Sequence, residues 1–408
     1  MRKDWEIKKL EELCEFGNGL WTGKKPPFQK VGVIRNTNFT KDGKLDDTDI
    51  VYLDVEQSQF AKRKLQYGDI ILEKSGGGPK QPVGRVVIFD KEIGDFSFSN
   101  FTSVIRVLNP RKVDFTYLHR FLFFSYVSGA TETMQSHSTG IRNLKFDDYK
   151  AIEIPLPPLP EQQRIVSILD EAFAAIAKAK ANAEQNLKNA KELFESYLQG
   201  VFEQRGYGWE ENTLGEVCEI SSKLIDPKKS EFQDLIHVGA GNIESQKGTL
   251  FDLKTAKEEN LISGKFLFDE SMVLYSKIRP YLMKVVNCNF QGLCSADIYP
   301  LLPFKEKMVK DFLYHLLLTK DFTEYAILGS QRAGMPKVNR EHLFAYRFYL
   351  PPISTQQSIV QKLDALSAQT KKLEAIYQQK INDLEELKKV ILQKAFSGEL
   401  KTLNAVAV

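Results

Sequence analysis

The stretch LPPLPEQQRIVSILD at residues 156–170 returns as LPPISTQQSIVQKLD at 350–364, with nine of fifteen positions identical at a constant offset of 194. Similarity at a fixed offset means one structural unit built twice. Working outward, WEIKKLEELCE (5–15) returns as WEENTLGEVCE (209–219), now at offset 204. Six positions match, among them Trp5/Trp209, Leu10/Leu214 and Cys14/Cys218. The second module is therefore ten residues shorter than the first. Between these anchors the halves diverge. Two scaffolds carrying different recognition surfaces would look like this, and so would an old duplication that drifted.

Each repeated segment opens a long helical stretch. In the first, apolar or small residues recur at Ile165, Leu169, Ala172, Ile176, Ala179, Ala183, Leu187, Ala190 and Phe194, continuing to Tyr197 and Val201. The steps alternate between three and four residues, with one extra-residue stutter at the centre, which is a coiled-coil seam. Adding 194 gives Leu363, Leu366, Thr370, Leu373, Tyr377, Ile381 and Leu384, and the seam is broken only at Lys388. The step pattern reads the same in both directions about Ala183 and Tyr377. Two identical units meet about a two-fold axis, so the expectation is an antiparallel pair, each helix roughly 60 Å long at ~1.5 Å per residue. Pairing then sets Phe194 near Leu366 and Leu187 near Leu373. Ser354 and Gln357 read as a capping box for the second copy; the first has Pro160 and Glu161 there.

The module interiors read as β-rich. Short apolar and β-branched runs at 31–34, 49–55, 68–74, 84–90 and 103–108 have the length and composition of strands. A helix is expected over 115–127 and a strand at 150–156. The second half repeats the order: strands at 234–243, 270–277, 284–288 and 295–302, a helix at 310–319, a strand at 344–350. The expected fold class is α/β mixed (α+β): two β-rich domains separated by a two-helix antiparallel coiled coil, with internal two-fold pseudo-symmetry.

At 408 residues, 42% apolar and 27% charged, the chain has room for two ordinary domains plus linking helices. No apolar run reaches the ~18–20 residues of a membrane span, and MRKDWEIKKL lacks the apolar core of a secretory signal. A cytoplasmic location is expected. Cys14, Cys218, Cys288 and Cys294 form no C-x-x-C pair and read as buried thiols. The net charge of +3 permits a polyanionic partner without arguing for one.

Signatures of chemistry are missing. The nearest approach to a base-amine methyltransferase loop, Lys25-Pro26-Pro27-Phe28, carries lysine where the catalytic polar residue belongs. Gly76-Gly77-Gly78 lacks the Lys-Ser/Thr that would engage phosphate and metal. The five histidines are scattered, without ligand spacing, and no metal is expected. Catalytic residues: none.

Binding signals are present instead. EKSGGGPKQPVGR (73–85) supplies Lys74, Lys80, Gln81 and Arg85 among glycines, and YSKIRPYLMK (275–284) supplies Lys277, Arg279 and Lys284. MQSHSTGIRNL (134–144) aligns at offset 194 with LGSQRAGMPKV (328–338). The first offers Gln135, Ser138, Arg142 and Asn143, the second Gln331, Arg332 and Lys337. Lysines neutralise phosphates. Gln and Arg can pair bidentately with base edges in the major groove. These residues are the DNA-binding candidates. Taken one at a time each also suits a solvated loop. A coiled-coil scaffold for protein assembly and a fused methyltransferase or nuclease stay open on the residues alone.

At the paired LPP-x-x-x-QQ-x-IV-x-x-LD segments, the chain resembles the DNA specificity subunit of type I restriction–modification systems. The resemblance covers the whole chain and departs from the repeat at Ser354-Thr355. It implies a non-catalytic subunit with a first target-recognition domain at 1–155 and a second at 205–349. The conserved long helices would occupy 156–204 and 350–400, before a tail at 401–408. Each domain would read half of a split target in double-stranded DNA. The coil would set the spacer and dock two methyltransferase subunits, and restriction subunits would join. S-adenosylmethionine, ATP and Mg2+ would enter through those partners, with no cofactor bound by this chain.

Overall fold

In the computed structural model the described residues are 5–20, 25–78, 81–138, 141–204, 206–221, 224–330 and 334–400. They form two compact units, 1–183 with 379–408 and 184–378.

The first unit closes its own ends. Strand Glu6–Lys9 pairs antiparallel with Glu153–Leu156, the strand that leads into the first long helix. The main sheet orders Cys14–Asn18, Thr102–Val107, Ile70–Glu73 and Val86–Ile88, all antiparallel. Ile70–Glu73 is buried at every position, which explains its near-continuous apolar run. A second sheet places Phe28–Ile34 between Val51–Glu56 and Phe96–Phe98. Helix Phe115–Val127, capped by the Asp114 carboxylate on the amides of Thr116 and Tyr117, covers the main sheet. Ile165 and Leu169 of the first long helix (Leu159–Glu203) enter this core beside Leu392, Ala395 and Phe396 of the second (Ile353–Ser397). The helices run antiparallel: Arg164 donates to the Leu400 carbonyl, Lys388 lies 5.0 Å over the Phe173 ring, and Lys180 pairs with Glu385.

The second unit repeats the plan. Glu210–Thr213 pairs with Arg347–Leu350. The main sheet orders Cys218–Ile220, Ile298–Pro303, Val273–Ser276 and Val285–Asn287. A five-stranded sheet flanks it, with Gly292–Cys294 at its centre. Leu198 joins Val360, Leu363 and Phe312 in the core, so this unit combines the end of the first long helix with the start of the second. The expected mixed fold is present: two β-rich domains with the long helices packed together.

Why the repeated segment takes its form is now visible. Gln162 is fully buried. Its Oε1 accepts from the Asp114 amide at 2.9 Å, and its Nε2 donates to the carbonyls of Lys112 and Pro157, both at 2.8 Å. Gln356 does the same for the Val309 amide and the carbonyls of Lys307 and Pro351, each at 2.8 Å. One glutamine per copy thus clamps a long helix to its β domain through the loop before a domain helix. The neighbouring Gln163 and Gln357 are exposed.

Several local expectations need correction. The capping box at Ser354 is not used: the Pro352 carbonyl accepts from Thr355 and Gln356, as the Pro158 carbonyl accepts from Glu161 and Gln162. Both helices therefore start at the same place in the repeat, ahead of Ser354, which lies inside the first turn. Leu373, read as seam, is 38% exposed. Tyr197 is also exposed, and Leu198 is buried in its stead. A real helix drifts about 20° per heptad against a 3.5-residue repeat, which carries such positions off the contact line. Ile176 and Ala183 are buried, while Leu187, Phe194, Leu366, Tyr377, Ile381 and Leu384 are half-buried. The strand read at 234–243 spans only Ile236–Val238 before a 3-10 turn. The helix read at 310–319 ends at Leu316, and another begins at Lys320 under a Thr319 cap.

Candidate nucleic-acid interface

In each unit the backbone brings together the two polar stretches that the sequence singles out. In the first, Ser75–Gly77 pairs with Ile141–Leu144, which pairs in turn with Gln135–Ser138. Arg142 and Asn143 therefore lie in one small sheet, Lys74 immediately precedes its Ser75–Gly77 strand, and Ser75 donates its hydroxyl to Asn143 Oδ1. In the second, Ile278 bridges Lys337, the Arg279 amide donates to Pro336 at 2.9 Å, and the Val338 amide donates to Lys277 at 2.9 Å.

Three of the nominated side chains are committed inside the fold. Arg85 makes a bidentate pair with buried Glu73 (2.6 and 2.9 Å) and donates to the carbonyls of Phe39 and Asn36, both at 3.1 Å. Its side chain is only 12% exposed, that of Glu73 2%. Lys284 donates to the Ala240 carbonyl at 2.6 Å. Gln135 is buried and donates to the carbonyls of Val83 and Thr131. Arg85, Lys284 and Gln135, expected as DNA contacts, each hold partners inside the fold. Buried polar groups need partners, and these residues have found theirs in backbone carbonyls and, for Arg85, also in the Glu73 carboxylate.

The others are placed differently. Lys74 donates to Asn18 Oδ1 at 2.7 Å, and partial burial pulls its pKa below the usual lysine value. Lys277 lies 5.0 Å over the Tyr299 ring, its pKa lowered first by burial and next by Lys337. Lys337 reaches Asp297 at 3.2 Å. Arg279 is exposed, on a left-handed backbone (φ 49°). Arg142 is half-buried, 3.5 Å from Gln135 Oε1. Gln81 is exposed beside Arg85, its backbone bonded both ways to Gly78. Ser138 ends the strand Gln135–Ser138. Lys80, Gln331 and Arg332 lie outside the described residues.

The sequence reading passed over a matched pair of 3-10 turns, Asn36–Asn38 and Ala240–Asn242. The signal was available, since Asn38 and Asn242 stand at the same offset of 204 as Trp5 and Trp209. It also passed over Glu73, whose burial no local pattern announces.

Among the described residues no group of three or more His, Cys, Asp or Glu side chains is placed to hold a metal. Burial pushes the Cys14 and Cys218 thiols up to about 12, far from nucleophilic readiness at neutral pH. Among the described residues no helix is long and apolar enough to cross a membrane.

Residues 2–188 and 207–386 each match the family model described as type I restriction modification DNA specificity domain. The chain is 28% identical over 348 residues to the type I restriction enzyme EcoDI specificity subunit of Escherichia coli, covering 75% of this chain and 76% of that one. It is 24% identical over 396 residues to the EcoKI specificity subunit of Escherichia coli K12, covering 90% and 82%. Its fold matches the HsdS subunit from Thermoanaerobacter tengcongensis with a TM-score of 0.62 at 19% identity over 98% of both chains. A chain from a structural study of complex assembly in the type I R-M system matches with a TM-score of 0.77, also at 19% identity, over 98% of this chain and 99% of that one. The chain therefore belongs to the type I restriction–modification DNA specificity family. It is the DNA sequence-specificity subunit of such a system, a non-catalytic role.

Proposed function

We propose that each unit reads one half of a bipartite duplex target, and that the long helices set the unread spacer and dock two methyltransferase subunits. One observation carries the reading: both units join the same two polar stretches by backbone pairing, yet arm them with different side chains. A shared frame with unlike contents suits two half-sites of unlike sequence. Docking of one kind of partner twice is supported by exposed residues that recur at offset 194 with no role inside the fold. Gln163 and Gln357 are exposed, as are Leu193 and Leu387. Restriction subunits join this assembly in the cytoplasm, and S-adenosylmethionine, ATP and Mg2+ arrive with the partners.

The test inserts four residues, about one helical turn or ~6 Å, into both long helices near 183 and 377. The spacer in the methylated motif should lengthen by about two base pairs at ~3.4 Å each. An unchanged spacer refutes the helices' role. Affinity of the assembled complex should also fall steeply with salt.

A further inference from the structure

The 3-10 turns Asn36–Asn38 and Ala240–Asn242 are built alike from unlike sequences. In the first, Asn38 Oδ1 accepts from the Arg35 amide at 2.9 Å, and its Nδ2 donates to the carbonyls of Asp46 and Asp49, both at 3.1 Å. In the second, Asn242 Oδ1 accepts from the Gly239 amide at 2.9 Å, and its Nδ2 donates to the carbonyls of Phe251 and Asp252. A basic side chain then holds the residue that opens each turn: Arg85 on the Asn36 carbonyl, Lys284 on the Ala240 carbonyl. Each clamp immediately precedes a strand of its main sheet, Arg85 before Val86–Ile88 and Lys284 before Val285–Asn287. The two nominated cations thus act as supports, and what they support is the turn.

Each turn adjoins the polar stretches described above. Asn36 Nδ2 donates to the Ser75 carbonyl at 2.7 Å. An open depression of about 410 Å3 is lined by Asn36, Thr37, the three glycines 76–78 and Gln81. The second turn meets its own stretch through Lys284. At the tips the two differ. Thr37 is exposed, and its counterpart at offset 204 is Gly241, also exposed, where an added Cβ would meet nothing within 4 Å.

We propose that these clamped turns are DNA-contacting elements that help determine specificity, an inference that rests on the half-site reading above. Thr37 offers a hydroxyl and a methyl to a base edge of the first half-site. The bare Ala240-Gly241 tip lets the second domain's backbone come close to the duplex. A rigid frame held by long-range bonds is what precise contact requires. Variation at the tip then changes the readout and leaves the frame intact.

The experiment uses the full chain assembled with its methyltransferase partner. Thr37→Glu, Gly241→Glu and Gly241→Lys are compared with wild type on duplexes carrying both half-sites, or one scrambled. Open space at Gly241 leaves folding unaffected, which the thermal midpoint of each variant verifies. A carboxylate facing phosphate is expected to weaken binding roughly tenfold or more. With Gly241→Glu the energetic contribution of the second half-site should be lost and that of the first retained. Thr37→Glu should show the reverse, and Gly241→Lys should keep or raise affinity. If wild type discriminates both half-sites while Gly241→Glu and Thr37→Glu bind as wild type, or lose both half-sites equally, the inference is overturned. If wild type itself fails to discriminate either half-site, the half-site reading falls and the inference with it.

Discussion

Replacing Gln162 with leucine keeps nearly the volume of the side chain and removes its three buried hydrogen bonds. Each such bond contributes about 1 kcal/mol net. The Asp114 amide and the Lys112 and Pro157 carbonyls lose their clamp in a site closed to water, so the loss should be at least about 3 kcal/mol. For a unit with a urea slope of roughly 2–3 kcal/mol/M, the midpoint should drop by about 1 M. Gln163→Ala is the internal control: the neighbouring, exposed glutamine of the same motif should cost under about 0.5 kcal/mol. Gln162→Glu should be worse than Leu, because a carboxylate oxygen would face the two carbonyls that Nε2 now serves. Hydrogen exchange localises the effect. The amides of Asp114, Thr116 and Tyr117 in the first unit should lose protection, while that of Val309 in the second keeps it. Gln356→Leu should invert this pattern. Equal urea midpoints for Gln162→Leu and Gln163→Ala would refute the clamp.

Arg85→Ala should lower the stability of the first unit by about 3–5 kcal/mol, since it strands Glu73 as a buried charge; Lys74→Ala should leave the melting temperature nearly unchanged and weaken the first half-site in a binding titration. His119 is almost wholly buried, and burial, followed by the charge of Arg120, holds its pKa down at about 3. The folded pKa lies below the unfolded one, so stability is full above ~6.5 and lost as pH falls, about 2–3 kcal/mol by pH ~4.5. His119→Gln should flatten that slope in melting curves recorded from pH 7 to 4.5. Leu193→Asp and Leu387→Asp should each remove one methyltransferase subunit from the assembly as read by native mass spectrometry; retention of both by both variants would refute the docking surface.

The sequence by itself determined the duplication, the two long helices, the β-rich character of the modules and the family. Each of these rests on periodicity, composition or repetition, all of which survive in one dimension. Tertiary structure alone decided which polar residues are spent on the fold. Gln162 and Gln163 are adjacent, identical and both repeated, yet only one lies under a domain helix's leading loop. Arg85 and Lys284 sit in basic, glycine- or proline-bearing stretches that read as DNA contacts. Their partners, Glu73, Asn36 and Ala240, are 12, 49 and 44 residues away and become neighbours only when the sheets form. Burial and hydrogen-bond pairing are properties of neighbours in space. A side chain's charge is written in the sequence, whereas its availability to a ligand depends on what the rest of the chain folds against it.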